Sequence, residues 1–319
     1  MGLSPSYNTG AIRRPYDASH VYRRRTRCLV VRVLNVAIIG TGNVGCDLLL
    51  KVIASPGLRC ELFAGRRSGS PGIALAEQHG IPTSTDGIDA IVAAAGSFDL
   101  VFDATSAADA RRHWAILEPL GLSMVDLTPA NLGQLCVPAL NLEACIGERY
   151  VGMVTCGGQA AVPMATCFGE ATVGLEYLEI VSASAALSVG PATRANMDEY
   201  VVTTERATHE FCDVQTNKTM LVINPAEPGT VMRNTIAVAA TEAVDMEALQ
   251  SLTAAMEERI RAYVPGYRIV VPPVVAGDRI LMTIEVEGRG DWLPAYAGNL
   301  DIITCAAVTL AEAKAEVAA

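Results

Sequence analysis

The sequence predicts an α/β fold, a Rossmann-type doubly wound parallel sheet followed by an α+β catalytic and dimerisation domain. Three observations carry this. An apolar run at residues 33–39 passes at once into Gly40-Thr41-Gly42-Asn43-Val44-Gly45, after which Leu48, Leu49 and Val52 recur at helical spacing. Short apolar runs then alternate with helical stretches as far as Val154, as in a parallel sheet covered on both faces. Beyond residue 156 longer alternating runs appear, such as 177–185, which suit an antiparallel sheet with helices on one face.

Taken in order, residues 1–33 carry seven arginines against one acid, Asp17. They read as a disordered extension, such as a start codon placed too far upstream would produce. Residues 34–155 form the expected dinucleotide-binding domain. Its strands fall at 33–39, 58–64, 99–103, 123–126 and 150–154, with helices at 87–94 and 108–120. In a strand–GxGxxG–helix unit the first glycine makes the turn, the second admits a pyrophosphate, and the third packs helix on strand. Where the second strand ends, an acid for the adenosine ribose is expected, but Arg66 and Arg67 stand there. Guanidinium groups suit a 2′-phosphate, so NADP is an option beside NAD. His113 falls within a helix and reads as a packing residue.

The catalytic and dimerisation domain is expected at 156–298, with strands at 177–185, 219–223, 235–239, 267–271 and 280–286. Its helices fall at 197–211 and from Leu249 to Tyr263. Residues 188–196 read as a polar loop. Asn299 is placed to cap a last helix, 299–317, which completes the first domain.

Chemistry concentrates at Val154-Thr155-Cys156-Gly157-Gly158-Gln159-Ala160. A cysteine ends an apolar strand, two glycines follow, and Pro163 suits the first turn of a helix. Free N–H groups and the positive end of a helix favour thiolate, the nucleophilic form.

Composition narrows the classes. The net charge of −10 argues against nucleic-acid partners. Although 51% of residues are hydrophobic, no uninterrupted apolar run reaches the ~18 residues of a membrane span. The nine cysteines are scattered, with no CxxC pair and no Cys/His cluster, so neither a metal site nor a disulfide framework is expected and a reducing cytoplasm fits.

Several motifs in order resemble the acetylating acetaldehyde dehydrogenases, the partners of 4-hydroxy-2-oxovalerate aldolase in aromatic catabolism. They are Gly40 to Gly45, Asp126-Leu127-Thr128-Pro129, Val154 to Ala160, Gly190-Pro191 with Thr193-Arg194-Ala195-Asn196, Asn224-Pro225-Ala226-Glu227-Pro228, and Leu293 to Asp301. The resemblance implies oxidation of acetaldehyde or propanal to the acyl-CoA, with NAD and coenzyme A, through a thioester on Cys156. It implies cofactor contacts from Thr41, Gly42, Asn43 and Val44, from Ser188, Val189, Gly190, Pro191, Ala192, Thr193, Arg194, Ala195 and Asn196, and from Asn299. A homodimer and an aldolase partner are also implied. Departures are Arg66-Arg67, a shortened stretch between Tyr267 and Ile280, and Asn234, where the family has an Asp that assists deprotonation. Donors to the substrate alkoxide would be the N–H groups beside Gly157 and the Asn196 amide. With Asn234 in place of the acid, Cys156 is expected to ionise at or below the free-thiol value.

Two alternatives remain open. One is a phosphorylating semialdehyde dehydrogenase, which needs a histidine base near the cysteine. The other is a catalytically impaired subunit that only stabilises an aldolase.

Overall fold

The computed structural model describes residues 32–172 and 174–317; the expected extension, but for its last two residues, lies outside them. The chain first lays down β1 (Leu34–Ile39), α1 (Asn43–Ala54), β2 (Leu58–Ala64), α2 (Pro71–Gln78), β3 (Thr83–Ser84), α3 (Ile88–Ala93), β4 (Leu100–Asp103) and α4 (Ala107–Leu117). There follow β5 (Ser123–Asp126), β6 (Gln134–Cys136), α5 (Pro138–Cys145) and β7 (Tyr150–Met153). The seven strands pair in parallel in the order β3-β2-β1-β4-β5-β7-β6. Their near-continuous apolar runs are buried between two helical layers, as parallel strands require. Strand order reverses between β1 and β4, so the crevice outside their carboxyl ends is the place for a ligand. Gly40 is required there: its φ is +118°, and a Cβ would lie 2.5 Å from the Ala104 carbonyl oxygen.

The second half comprises α6 (Cys156–Ala171), β8 (Leu175–Ala185), α7 (Pro191–Ala195), α8 (Met197–Phe211), β9 (Val214–Asn224), β10 (Met232–Ala240), α9 (Met246–Arg261), β11 (Tyr267–Ala276) and β12 (Arg279–Val286). Its sheet runs β11-β12-β10-β8-β9. Only β8 and β9 pair in parallel, with α8 as their crossover, so this sheet is mixed rather than antiparallel. Helix α6 packs on β8, β10 and β12 and touches α8 and α9, which explains why nearly all its residues are buried. Finally α10 (Gly298–Val317) returns to pack along α1. No described helix is long and apolar enough to cross a membrane.

Three sequence expectations need correction, and four short elements were not expected. Helix α6 begins at Cys156, and Pro163 lies inside it. The Thr155 hydroxyl caps the helix by accepting the Gly158 N–H at 3.0 Å, which starts it earlier than the proline suggests. The 188–196 loop contains a short helix, α7. Asn299 is the second residue of α10 rather than its cap; the Ala297 carbonyl accepts the Leu300 N–H at 3.0 Å and closes the first turn. The short elements α2, β3, β6 and α5 carry no apolar period long enough to mark them.

A buried cation ties α10 to α1. Lys51 Nζ lies 2.7 Å from Asp47, 2.8 Å from Asp301 and 3.1 Å from Asp291. Burial works against its charge, but the carboxylates outweigh it and raise its pKa. Removing the cation would strand two buried carboxylates. Lys51→Met is therefore expected to cost about 3–5 kcal/mol of unfolding free energy, measured by urea denaturation; a loss under about 1 kcal/mol would contradict this ion cluster's role.

A second buried network lies at the strand ends. Asp126 accepts from Tyr150 Oη at 2.5 Å and from the Thr128 N–H at 2.7 Å. Burial, with the Asp103 carboxylate second, pushes its carboxyl up to about 7, against about 3.9 in an unfolded chain. Between those values the folded protein holds the extra proton. The contribution is thus complete below about pH 4 and is lost as pH rises through 7. Asp126→Asn should flatten the fall in stability over that window; equal slopes in both proteins would refute the assignment.

Candidate active site

Cys156 is the first residue of α6, directly after β7, and so lies at the carboxyl edge of the parallel sheet. Of the eight described cysteines it alone is not buried. The helix can approach its neighbours so closely because residues 157 and 158 lack side chains. A Cβ on Gly157 would come within 2.1 Å of Tyr200 Oη and 2.2 Å of Ser182 Oγ, and one on Gly158 within 2.2 Å of Val154 Cγ1. The two glycines serve packing rather than a turn.

The thiol faces a cavity of about 140 Å³. Its walls include Gly42, Asn43 and Val44 of the glycine loop, Thr105, Leu127, Thr128, Ser184, Tyr200 and Leu221, and Asn299 and Ile303 of α10. Ser188, Val189, Gly190, Pro191, Ala192, Thr193 and Asn196 close another side. A wider cleft of about 740 Å³ adjoins it, sharing Gly42, Ala104, Thr105, Pro191 and Ala192, and runs out past Gly40 and Thr41 to Arg66 and Arg67. The two spaces make one groove from the arginines to Cys156.

A nicotinamide dinucleotide fits this groove on three counts. Gly42, which caps α1 without a side-chain bond, would carry its Cβ into space with nothing within 4 Å, so the first-turn N–H groups of α1 face open room for a pyrophosphate. At the inner end Thr128 Oγ1, Ser184 Oγ and Asn299 Oδ1 are buried with no hydrogen-bond partner, although all three residues line the cavity. Such atoms are costly unless a ligand satisfies them. Most of the cavity surface is apolar, as suits a nicotinamide ring.

Several expected residues lie elsewhere. Gly45 packs inward, its Cβ position only 1.8 Å from the Gly40 carbonyl oxygen. Arg194 donates to the Val189 and Ala186 carbonyls, each at 3.1 Å, and braces the loop. Ala195 and Asn234 do not line the cavity. Arg66 lies 3.2 Å from Asp109, so the acid absent from the end of β2 reaches the cleft from α4. His113 is buried, with Nδ1 2.6 Å from Asp103.

Two chemical expectations change as well. The Gly157 N–H is already donated to Tyr200 Oη at 3.0 Å, while Asn196 gives one amide hydrogen to the Ala192 carbonyl and keeps its second. Burial pushes the Cys156 thiol above its ordinary value, with the Tyr200 hydroxyl and the Gly157 N–H acting against it. The helix terminus alone does not hold the thiol low.

Tyr200, Ser182 and Ser184 went unmarked in the sequence, yet each leaves a signal. Tyr200 follows Asn196 by four residues on one helical face. Ser182 and Ser184 continue the buried face of β8 set by Leu178 and Ile180, where a hydroxyl needs a reason to be.

The comparisons agree with this geometry. Residues 156–294 match the family model described as prokaryotic acetaldehyde dehydrogenase, dimerisation. The acetaldehyde dehydrogenase 2 of Salinispora arenicola is 66% identical over 281 residues, covering 88% of this chain and 95% of that protein. The acetaldehyde dehydrogenase of Pectobacterium atrosepticum is 45% identical with the same coverage. Among solved structures, aspartate semialdehyde dehydrogenase II of Vibrio cholerae superposes with a TM-score of 0.57 over 90% of this chain and 98% of its own, at 13% identity. The aspartate semialdehyde dehydrogenase of Candida albicans gives 0.55 over 86% and 99%, also at 13%. These two support the fold alone. From its relatives, the chain belongs to the acetaldehyde dehydrogenase family.

Proposed function

We propose that this protein oxidises acetaldehyde, or propanal, to the acyl-CoA, with Cys156 as the nucleophile and a nicotinamide dinucleotide in the groove. The observation that carries this is the position of Cys156: a half-buried thiol at a helix N-terminus, at the inner end of a cleft built for a dinucleotide.

The chain's residues then divide the work. The Cys156 thiolate adds to the carbonyl carbon, and the carbonyl oxygen becomes an alkoxide. Ser184 Oγ, buried and unpartnered in the same cavity, is a donor free to meet it. Thr128 and Asn299 orient the carboxamide end of the cofactor, which when bound accepts the hydride leaving the same carbon. A thioester on Cys156 remains; the sulfur of coenzyme A displaces it and Cys156 departs as thiolate. With Arg66 and Arg67 at the outer end, NADP is accommodated beside NAD.

Transfer to CoA rather than phosphate is favoured because no histidine, lysine or arginine lines the cavity among the described residues. His113, the histidine in the adjoining cleft, is engaged by Asp103. The match of 156–294 to a dimerisation region supports a homodimer through the second sheet, and family membership supports an aldolase partner.

The test is an assay of cofactor reduction with acetaldehyde and either NAD or NADP, comparing CoA with inorganic phosphate as acceptor. Sustained turnover is expected with CoA and not with phosphate. Phosphate-dependent turnover would favour the semialdehyde-type reaction, and no turnover with any acceptor would favour an impaired subunit.

A further inference from the structure

Tyr200 touches the proposed nucleophile, and none of the roles above uses it. It is buried on α8 with its phenol against the start of α6. The phenol oxygen accepts the Gly157 N–H at 3.0 Å, lies 3.9 Å from Cys156 Sγ, and is hydrogen-bonded with Ser182 and Thr155. Ser182 Oγ donates to Asn234 Oδ1 at 2.5 Å. An amide oxygen only accepts, so the serine's single hydrogen is committed there. The phenol's single hydrogen is left with three acceptors, Ser182 Oγ, Thr155 Oγ1 and Cys156 Sγ. With the thiol protonated, S–H points to the phenol oxygen and the phenol donates to Ser182 or Thr155. With the thiol ionised, the anion is the stronger acceptor and the phenol's hydrogen turns to it.

We infer that Tyr200 is a catalytic residue, the hydrogen-bond donor that holds the Cys156 thiolate in place and aims it into the cavity. The inference rests on the assignment of Cys156 as nucleophile. No proton leaves the phenol; the thiol's own proton passes to water through the open cleft. Asn234 acts two bonds away, by keeping Ser182 an acceptor.

No other ionisable group competes at this point. Besides Cys156 and Tyr200, the cavity walls carry no titratable side chain among the described residues. Asp198 of α8 is exposed and Glu199 is half-buried, Asp301 of α10 is bound to Lys51, and Asp126 behind β5 is bonded to Tyr150.

Labelling of Cys156 by iodoacetamide across pH, without substrates and read by peptide mass, tests this alongside kcat/KM. Tyr200→Phe, which keeps the ring, should move the labelling midpoint up by about one pH unit and lower kcat/KM about tenfold at neutral pH. Ser182→Ala removes one rival acceptor and should move the midpoint the other way. Opposite shifts are the expected signature, because general loosening of the site would move both variants alike. An unmoved midpoint in Tyr200→Phe, or shifts of the same sign, would overturn the role of Tyr200. If labelling Cys156 in the parent protein leaves turnover intact, it is the nucleophile assignment that fails.

Discussion

The close approach of α6 to α8 and β8 is the constraint on which the site depends. Side chains at residues 157 and 158 would overlap Tyr200, Ser182 and Val154, so only glycine lets the helix start where it does. That contact places Cys156 in the cavity wall, brings the Tyr200 hydroxyl to its sulfur, and occupies the Gly157 and Gly158 N–H groups. Thr155 fixes the same turn twice over, capping Gly158 and lying 2.6 Å from Thr204 Oγ1 of α8. The nucleophile is thus held by hydrogen bonds that leave it one open side, and that side faces the dinucleotide groove.

The cofactor end rests on a different kind of interaction. Helix α10 carries Asn299 to the cavity from the far end of the chain, and the Lys51 cluster anchors it. Lys51 is buried, Thr304 donates to Asp47 at 2.5 Å, and Trp292 Nε1 donates to Asn43 Oδ1 at 3.1 Å. The last of these joins the segment before α10 to the glycine loop itself. The loop proposed to meet the pyrophosphate and the residue proposed to meet the carboxamide are therefore parts of one braced unit. Such preorganisation leaves less ordering to be done on binding.

Much of this was legible in the amino-acid order. The β1–loop–α1 unit and the position of Cys156 follow from local patterns: an apolar strand, glycines at fixed spacing, a helical period. The 2–3 residue scale of β3 and β6 gave no period to detect. What pairs across long separations was less accessible. Ser182, Tyr200 and Asn234 lie on three elements, and nothing in their local sequence shows that their side chains meet. The direction of the Cys156 shift was misjudged for the same reason, since it depends on burial by partners distant in the chain rather than on the helix terminus beside it.

The central claim is that Cys156 carries the acyl group, and the acyl-enzyme is the species to measure. Mixing the protein with acetaldehyde and oxidised cofactor but no CoA should give a rapid burst of about one reduced cofactor per chain. An acetyl adduct on the Cys156 peptide should appear with it, and addition of CoA should remove it. No burst and no adduct are expected for Cys156→Ala. A full burst in that variant, or an adduct on another cysteine, would contradict the account.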